Sequence, residues 1–152
     1  KKVEESIMLK FMGEFNNCVD IKGRVVIPNK FREQLGESFI VTKSFDGCLA
    51  VYDFKQWEFL QDRLGPMPMV STAARTIRRI IVGSAFETGT DKQGRILIPA
   101  ALREYSSIEK EAVIIGNIDH IEIWGKEVWK KKMEEINVDE TAQKLYDAGI
   151  YI

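Results

Sequence analysis

A chain of 152 residues, 45% apolar and 30% charged, has the size and composition of one ordinary globular domain or two very small ones. Its formal net charge of −1 gives no overall basic signal, and no apolar run approaches the roughly 20 residues that cross a bilayer. Cys18 and Cys48 make no CxxC, and a single histidine cannot complete a structural zinc site, so neither metal nor cofactor is expected.

In chain order, KKVEESI (residues 1–7) lacks the apolar core of a secretory signal and reads as a tag or disordered extension ahead of Met8. The first informative stretch is DIKGRVVIPNKFREQL, Asp20 to Leu35. A type I turn favours Asp at its first position and Gly at its fourth, which Asp20 and Gly23 supply. Gly23 is the positive-φ residue of a short hairpin loop, and the Asp20 carboxylate can accept N–H groups within the turn. Arg24 then opens an outgoing strand whose inward residues are Val25 and Ile27. Pro28 stops that strand and suits the first position of a short helix carrying Phe31 and Leu35.

Next, SFIVTKS and CLAVYDF flank Asp46-Gly47, a hairpin signal. Asp53 with Gln56 forms a capping-box pattern for a helix bearing Trp57, Leu60 and Leu64, which GPMPM ends. STAARTIRRIIVGSA predicts a linker helix with Ile77, Ile80 and Ile81 inward and Arg75, Arg78 and Arg79 outward. The three arginines form a solvated face, a subunit contact or a secondary backbone contact to nucleic acid.

Then the chain repeats itself. DKQGRILIPAALREYS, Asp91 to Ser106, returns Asp, Gly, Arg, Ile, Pro, Arg and Glu in register 71 residues on. Phe15 and Phe86 precede the two tips. SFIVTKSFDGCLAVYDFKQWEFL pairs with EAVIIGNIDHIEIWGKEVWKKKM, placing Tyr52 on Trp124 and Trp57 on Trp129. After Met133 an acidic, loosely amphipathic tail is a candidate partner-contacting helix. The repeat divides the chain into a first half-repeat (8–64), a linker helix (65–84), a second half-repeat (85–136) and the tail (137–152). A unit of about 45 residues is marginal alone. Two related by a two-fold axis can interleave their strands, so the expected fold is α+β, with two half-repeats closed into one small β-barrel and peripheral helices.

The duplicated stretches are also where positive charge collects. Of 22 basic and 23 acidic residues, seven and two lie in 20–32 and 91–103, which leaves 15 and 21 elsewhere. The arginine recurs while Ile21-Lys22 becomes Lys92-Gln93, although the turn itself needs no arginine. An exposed guanidinium is a fork for two acceptors on guanine or for phosphate oxygens, and a two-stranded ribbon fits the major groove. One protomer would bind weakly, so several protomers on repeated DNA elements are expected.

The twin Asp-x-x-x-Arg tips, each followed by an I-P-x-x-(F/L)-R run, resemble the MraZ family of bacterial transcriptional regulators. More broadly they resemble the AbrB and MazE swapped-hairpin superfamily. The likeness covers about Met8 to Ile136. It implies swapped hairpins, a ring-shaped homo-oligomer, and binding to short direct repeats of double-stranded DNA in the promoter of a cell-division and cell-wall operon. It implies a cytoplasmic, nucleoid-associated protein without a membrane or small-molecule partner. The DNA-contacting motif maps onto Asp20 to Arg24 and Asp91 to Arg95. Arg24 and Arg95 are the expected contacts, Lys22 and Lys92 steer phosphates, and Asp20, Gly23, Asp91 and Gly94 structure the turns.

Two rival readings remain. Asp20 and Asp91, joined by a two-fold axis, could form a proton-sharing dyad of a hydrolase, but adjacent cations would hold both ionised. His120, in an Asp-His turn with no nucleophile motif nearby, reads as a surface residue, and no phosphate loop is present, so no enzyme is expected. The second rival is an antitoxin-like interaction module working through the acidic tail. Cys18 and Cys48 read as reduced, half-buried side chains of a cytosolic protein.

Overall fold

The alternation of short apolar runs with glycine-marked turns is realised as an α+β fold. The computed structural model describes residues 10–152; the expected extension at 1–7 lies outside them. The first copy supplies β1 (Phe11–Cys18), β2 (Arg24–Val26), α1 (Asn29–Leu35), β3 (Phe39–Lys43), β4 (Leu49–Tyr52) and α2 (Phe54–Leu64). A linker helix α3 (Thr72–Ile81) follows. The second copy supplies β5 (Phe86–Thr88), β6 (Arg95–Leu97), α4 (Ala100–Ser106), β7 (Glu111–Ile118), β8 (His120–Gly125) and α5 (Lys126–Glu134), with α6 (Val138–Asp147) as the tail.

The strand order is a palindrome of the two copies: β1-β7-β8-β4-β3-β5, all antiparallel, with β2-β6 as a separate ribbon. The approach strand of each copy leaves its own copy. β1 pairs with β7 along its whole length, from Phe11 opposite Ile118 to Cys18 opposite Glu111. In the same way β5 pairs with β3, Val41 opposite Phe86. The two hairpins meet at β4 and β8. Period-2 alternation explains which residues fill the centre. Val25, Ile27, Ile96 and Ile98 are buried under the sheet face carried by Val41, Leu49, Val51, Ile114, Ile121 and Ile123. Phe31, from α1, closes that core, meeting Phe11 and Phe15 edge-on at centroid separations of 5.7 and 5.3 Å.

Local signals behave largely as chemistry requires. Asp46 and Gly47 turn the β3–β4 hairpin with φ of 63° and 79°, and the Asp53 carboxylate accepts the Gln56 N–H at 2.8 Å to cap α2. Trp57 and Leu64 of α2 join Ile81 of α3 in a second apolar cluster with Ile40, while Trp129 of α5 packs on Trp124 at 5.2 Å. Three expectations need correction. Pro28 and Pro99 are the caps of α1 and α4 rather than their first residues, with ψ of 138° and 147°. Ile80 is exposed, because α3 seats the Ala74–Ile77–Ile81 stripe and position 80 lies off that stripe. Cys18 is exposed on β1, where only Phe11 turns fully inward, whereas Cys48 is fully buried; desolvation first, then Glu122 and Asp46, pushes the Cys48 thiol up to about 12.

Because β1 and β5 each pair with the opposite half, the linker is not what holds the halves together. Cleavage at an engineered protease site within residues 65–70 should leave fragments that co-elute in native buffer and separate only in denaturant. Fragments that separate without denaturant would contradict the pairing.

Candidate functional site

Each tip is closed first by its backbone. The Asp20 carbonyl accepts the Gly23 N–H and the Asp20 N–H donates to the Arg24 carbonyl, both at 2.9 Å; Asp91, Gly94 and Arg95 repeat the pair at 2.9 Å. The carboxylate then finishes the turn. Asp20 Oδ1 accepts the N–H groups of Lys22 at 3.0 Å and Arg24 at 2.8 Å, while Oδ2 accepts Arg24 Nε at 2.7 Å. Asp91 does the same with Gln93, Arg95 and Arg95 Nε, each at 2.9 Å. From sequence the arginine looked surplus to the turn. Its Nε is in fact part of it, which explains the fixed spacing of four.

These hydrogen bonds set the charge state. The Arg24 backbone N–H, then its guanidinium and the Lys22 N–H, hold Asp20 below the ordinary carboxylate range against partial desolvation. Arg95 N–H leads the same shift at Asp91, helped by its guanidinium and the Gln93 N–H. Both acids are therefore kept ionised, whereas a shared-proton dyad needs one of them protonated.

The copies then lock together at the tips. β2 and β6 pair antiparallel about Val25 and Ile96, with Arg24 opposite Leu97 and Val26 opposite Arg95. Ile27 N–H donates to the Gly94 carbonyl and Ile98 N–H to the Gly23 carbonyl, both at 2.9 Å. Arg95 Nη1 lies 3.8 Å from Asp20 Oδ2, so the two acid–arginine pairs sit side by side. All eight sequence-predicted residues thus lie on one short ribbon, with one tip at each of its ends. Lys22 and Lys92 are exposed, and the Arg24 and Arg95 side chains keep 31% and 26% of their surface open. Among the described residues, the Nη groups of Arg24 make no hydrogen bond.

The tip glycines have a second constraint that the sequence did not suggest. Gly23 and Gly94 adopt φ of 88° and 76°, and both are buried. A side chain on Gly23 would run into the Arg103 guanidinium of the other copy, 2.5 Å from Nε, and one on Gly94 into the Arg32 guanidinium. Arg103 is fixed by Nε donating to the Ile98 carbonyl at 2.9 Å, and Arg32 by Nη2 donating to Asn29 Oδ1 at 3.0 Å. Each tip is thus roofed by the arginine that ends the partner repeat's proline run. The signal was present in the register of the two proline runs, but its meaning lay in the crossing.

His120 also departs from expectation. It is half-buried, stacked on Tyr52 at 5.2 Å, with Nδ1 2.6 Å from Asp119 and Nε2 3.4 Å from Glu122. Burial alone would lower its pKa; the hydrogen bonds to Glu122 and Asp119 outweigh it and leave the value raised. It anchors the β7–β8 turn on the sheet, away from the tips. Among the described residues no group of His, Cys, Asp and Glu side chains is placed to hold a metal ion, and no helix is long and apolar enough to cross a membrane.

Comparison with known proteins places the chain among relatives. A family model described as "MraZ protein, putative antitoxin-like" matches twice, over residues 10–80 and 81–147. A protein of Caldicellulosiruptor bescii named Transcriptional regulator MraZ is 48% identical over 141 residues, covering 91% of this chain and 99% of its own. Relatives of the same name from Alkaliphilus oremlandii and Clostridium acetobutylicum are 47% and 44% identical, each covering 92% of this chain and 99% of theirs.

Alanine at Gly23 or Gly94 should cost about 1–2 kcal/mol for its left-handed backbone, read as a lower denaturation midpoint, and should displace the roofing arginine. Acid should loosen the tips. Because the folded-state pKa values of Asp20 and Asp91 are lowered, their contribution is present at neutral pH and is lost below about pH 4. Amide NMR of Arg24 and Arg95 should change there before the core signals do.

Proposed function

The chain belongs to the MraZ family, and on that premise we propose that it is a sequence-specific, DNA-binding transcriptional regulator whose ribbon of twin tips enters the major groove. One observation carries the reading. Two guanidinium groups are fixed side by side by their Nε atoms, which leaves the Arg24 Nη groups without a hydrogen bond among the described residues, on a ribbon that carries an exposed lysine at each tip. A guanidinium held in this way loses little freedom when it takes base or phosphate acceptors. Arg24 and Arg95 are the principal contacts, Lys22 and Lys92 meet phosphates, and the aspartates and glycines hold the geometry.

Membership of the family supports the remaining parts of the reading. The interleaved half-repeats, 8–64 and 85–136 with the 65–84 linker and the 137–152 tail, form a swapped-hairpin barrel. A ring of copies sets several ribbons against short direct repeats in the promoter of a cell-division and cell-wall operon. With a net charge of −1 the single chain gains little from non-specific attraction, so simultaneous engagement supplies the affinity. The protein works in the cytoplasm at the nucleoid and needs no cofactor and no catalytic group.

A second reading has one observation in its favour. α6 buries no residue and exposes Val138 and Tyr146, as an antitoxin-like segment awaiting a protein partner would. Deleting 137–152 separates the two readings, since DNA binding should survive it.

Arg24→Ala and Arg95→Ala should each abolish a gel shift on DNA upstream of the protein's own gene while light scattering shows the same oligomer. Affinity should also fall steeply between 50 and 200 mM salt, because neutralised phosphates release counterions, by on the order of 10³-fold if six contacts form. Unchanged affinity in both variants would refute the contact assignment.

A further inference from the structure

The two tips share a skeleton but not a surface. After the aspartate the first carries Ile21 and Lys22, the second Lys92 and Gln93. Ile21 is 99% exposed; among the large apolar side chains of the described residues only the terminal Ile152 is more so. The turn does not require it, since Lys92 occupies the matching place with the same carboxylate bonds at 2.9 Å. Nor does the core, because so exposed a side chain stabilises nothing by burial.

Its neighbourhood gives it a use. Along the ribbon Arg24 stands opposite Leu97, and Arg95 opposite Val26, with Leu97 and Val26 exposed as well. Guanidinium and aliphatic groups therefore alternate across the outward surface, and Ile21 extends that pattern to the first tip. The major groove presents the complementary mixture: acceptor edges on guanine and one apolar group, the C5-methyl of thymine. Phosphates, sugars and the minor groove offer no such methyl.

Resting on the DNA-binding reading above, we infer that Ile21 is a specificity-determining residue that packs on a thymine C5-methyl group beside the bases engaged by Arg24 and Arg95. The lysine and glutamine of the second tip face phosphate and tolerate any sequence there. The duplication has thus kept one grip and split its readout.

The test uses the full-length protein and the DNA upstream of its own gene, synthesised once with thymine and once with deoxyuracil throughout, with affinities read by fluorescence anisotropy. The wild type should bind the deoxyuracil duplex about three- to five-fold more weakly per contacted methyl. Ile21→Ala, and Ile21→Lys as the second tip has it, should bind both duplexes equally, at about the wild type's deoxyuracil affinity, with the oligomer intact by light scattering. Equal wild-type affinity for the two duplexes overturns the assignment while DNA binding stands. So does a thymine preference that survives in Ile21→Ala, which would give the methyl contact to another residue. Loss of the oligomer in both variants would make Ile21 a subunit contact instead. A wild type that binds neither duplex overturns the DNA-binding reading, and this inference with it.

Discussion

Two reciprocal backbone hydrogen bonds, Ile27 N–H to Gly94 and Ile98 N–H to Gly23, tie the halves of this molecule at the place where its charge is concentrated. Around them β2 and β6 pair over only three residues each. A ribbon so short has no stability of its own. It persists because its inward residues, Val25, Ile27, Ile96 and Ile98, are the centre of the core. Burying such side chains contributes roughly 1.5–3 kcal/mol apiece, far more than the ladder bonds that set their register. The most polar part of the fold is thus carried on the back of its most apolar part.

This arrangement gives rigidity to groups that are otherwise floppy. An exposed arginine normally loses up to about 2 kcal/mol of rotamer freedom when it binds. Here the aspartate of each tip has already fixed the Nε of the arginine, and the backbone N–H groups hold the aspartate. The ion pairs themselves, a quarter to a third exposed, add little to folding. On the proposed reading their value lies in aim rather than in stability. The roofing arginines, Arg32 and Arg103, extend the same logic, because each half covers the glycine bend of the other.

Much of this was legible in the residues. The Asp-to-Gly turn, the alternation after each arginine, the Asp46-Gly47 hairpin and the Asp53 cap are local chemistry, and they form where local chemistry puts them. The internal repeat pointed to two halves each too small to bury its own sheet faces well. What stayed hidden was whatever depends on crossing. Nothing in DIKGR says that its glycine lies beneath an arginine of the other repeat, or that its arginine binds its own aspartate. His120 looked like a bare turn residue because the groups that hold it, Tyr52 and Glu122, come from a neighbouring strand and from two positions on. Ile80 looked inward because three isoleucines crowd one helix, and only the packing of α3 shows which of them the sheet can take.

The central claim is that paired, pre-aimed guanidinium groups grip a duplex without letting go of their own acids. A crystal structure of the protein on DNA from upstream of its gene tests it most directly. The account predicts the Nη groups of Arg24 or Arg95 within hydrogen-bonding distance of base edges or phosphate oxygens, with Asp20 and Asp91 still bound to Nε. A complex in which DNA lies elsewhere on the surface, with both ribbon tips open to solvent, would contradict it.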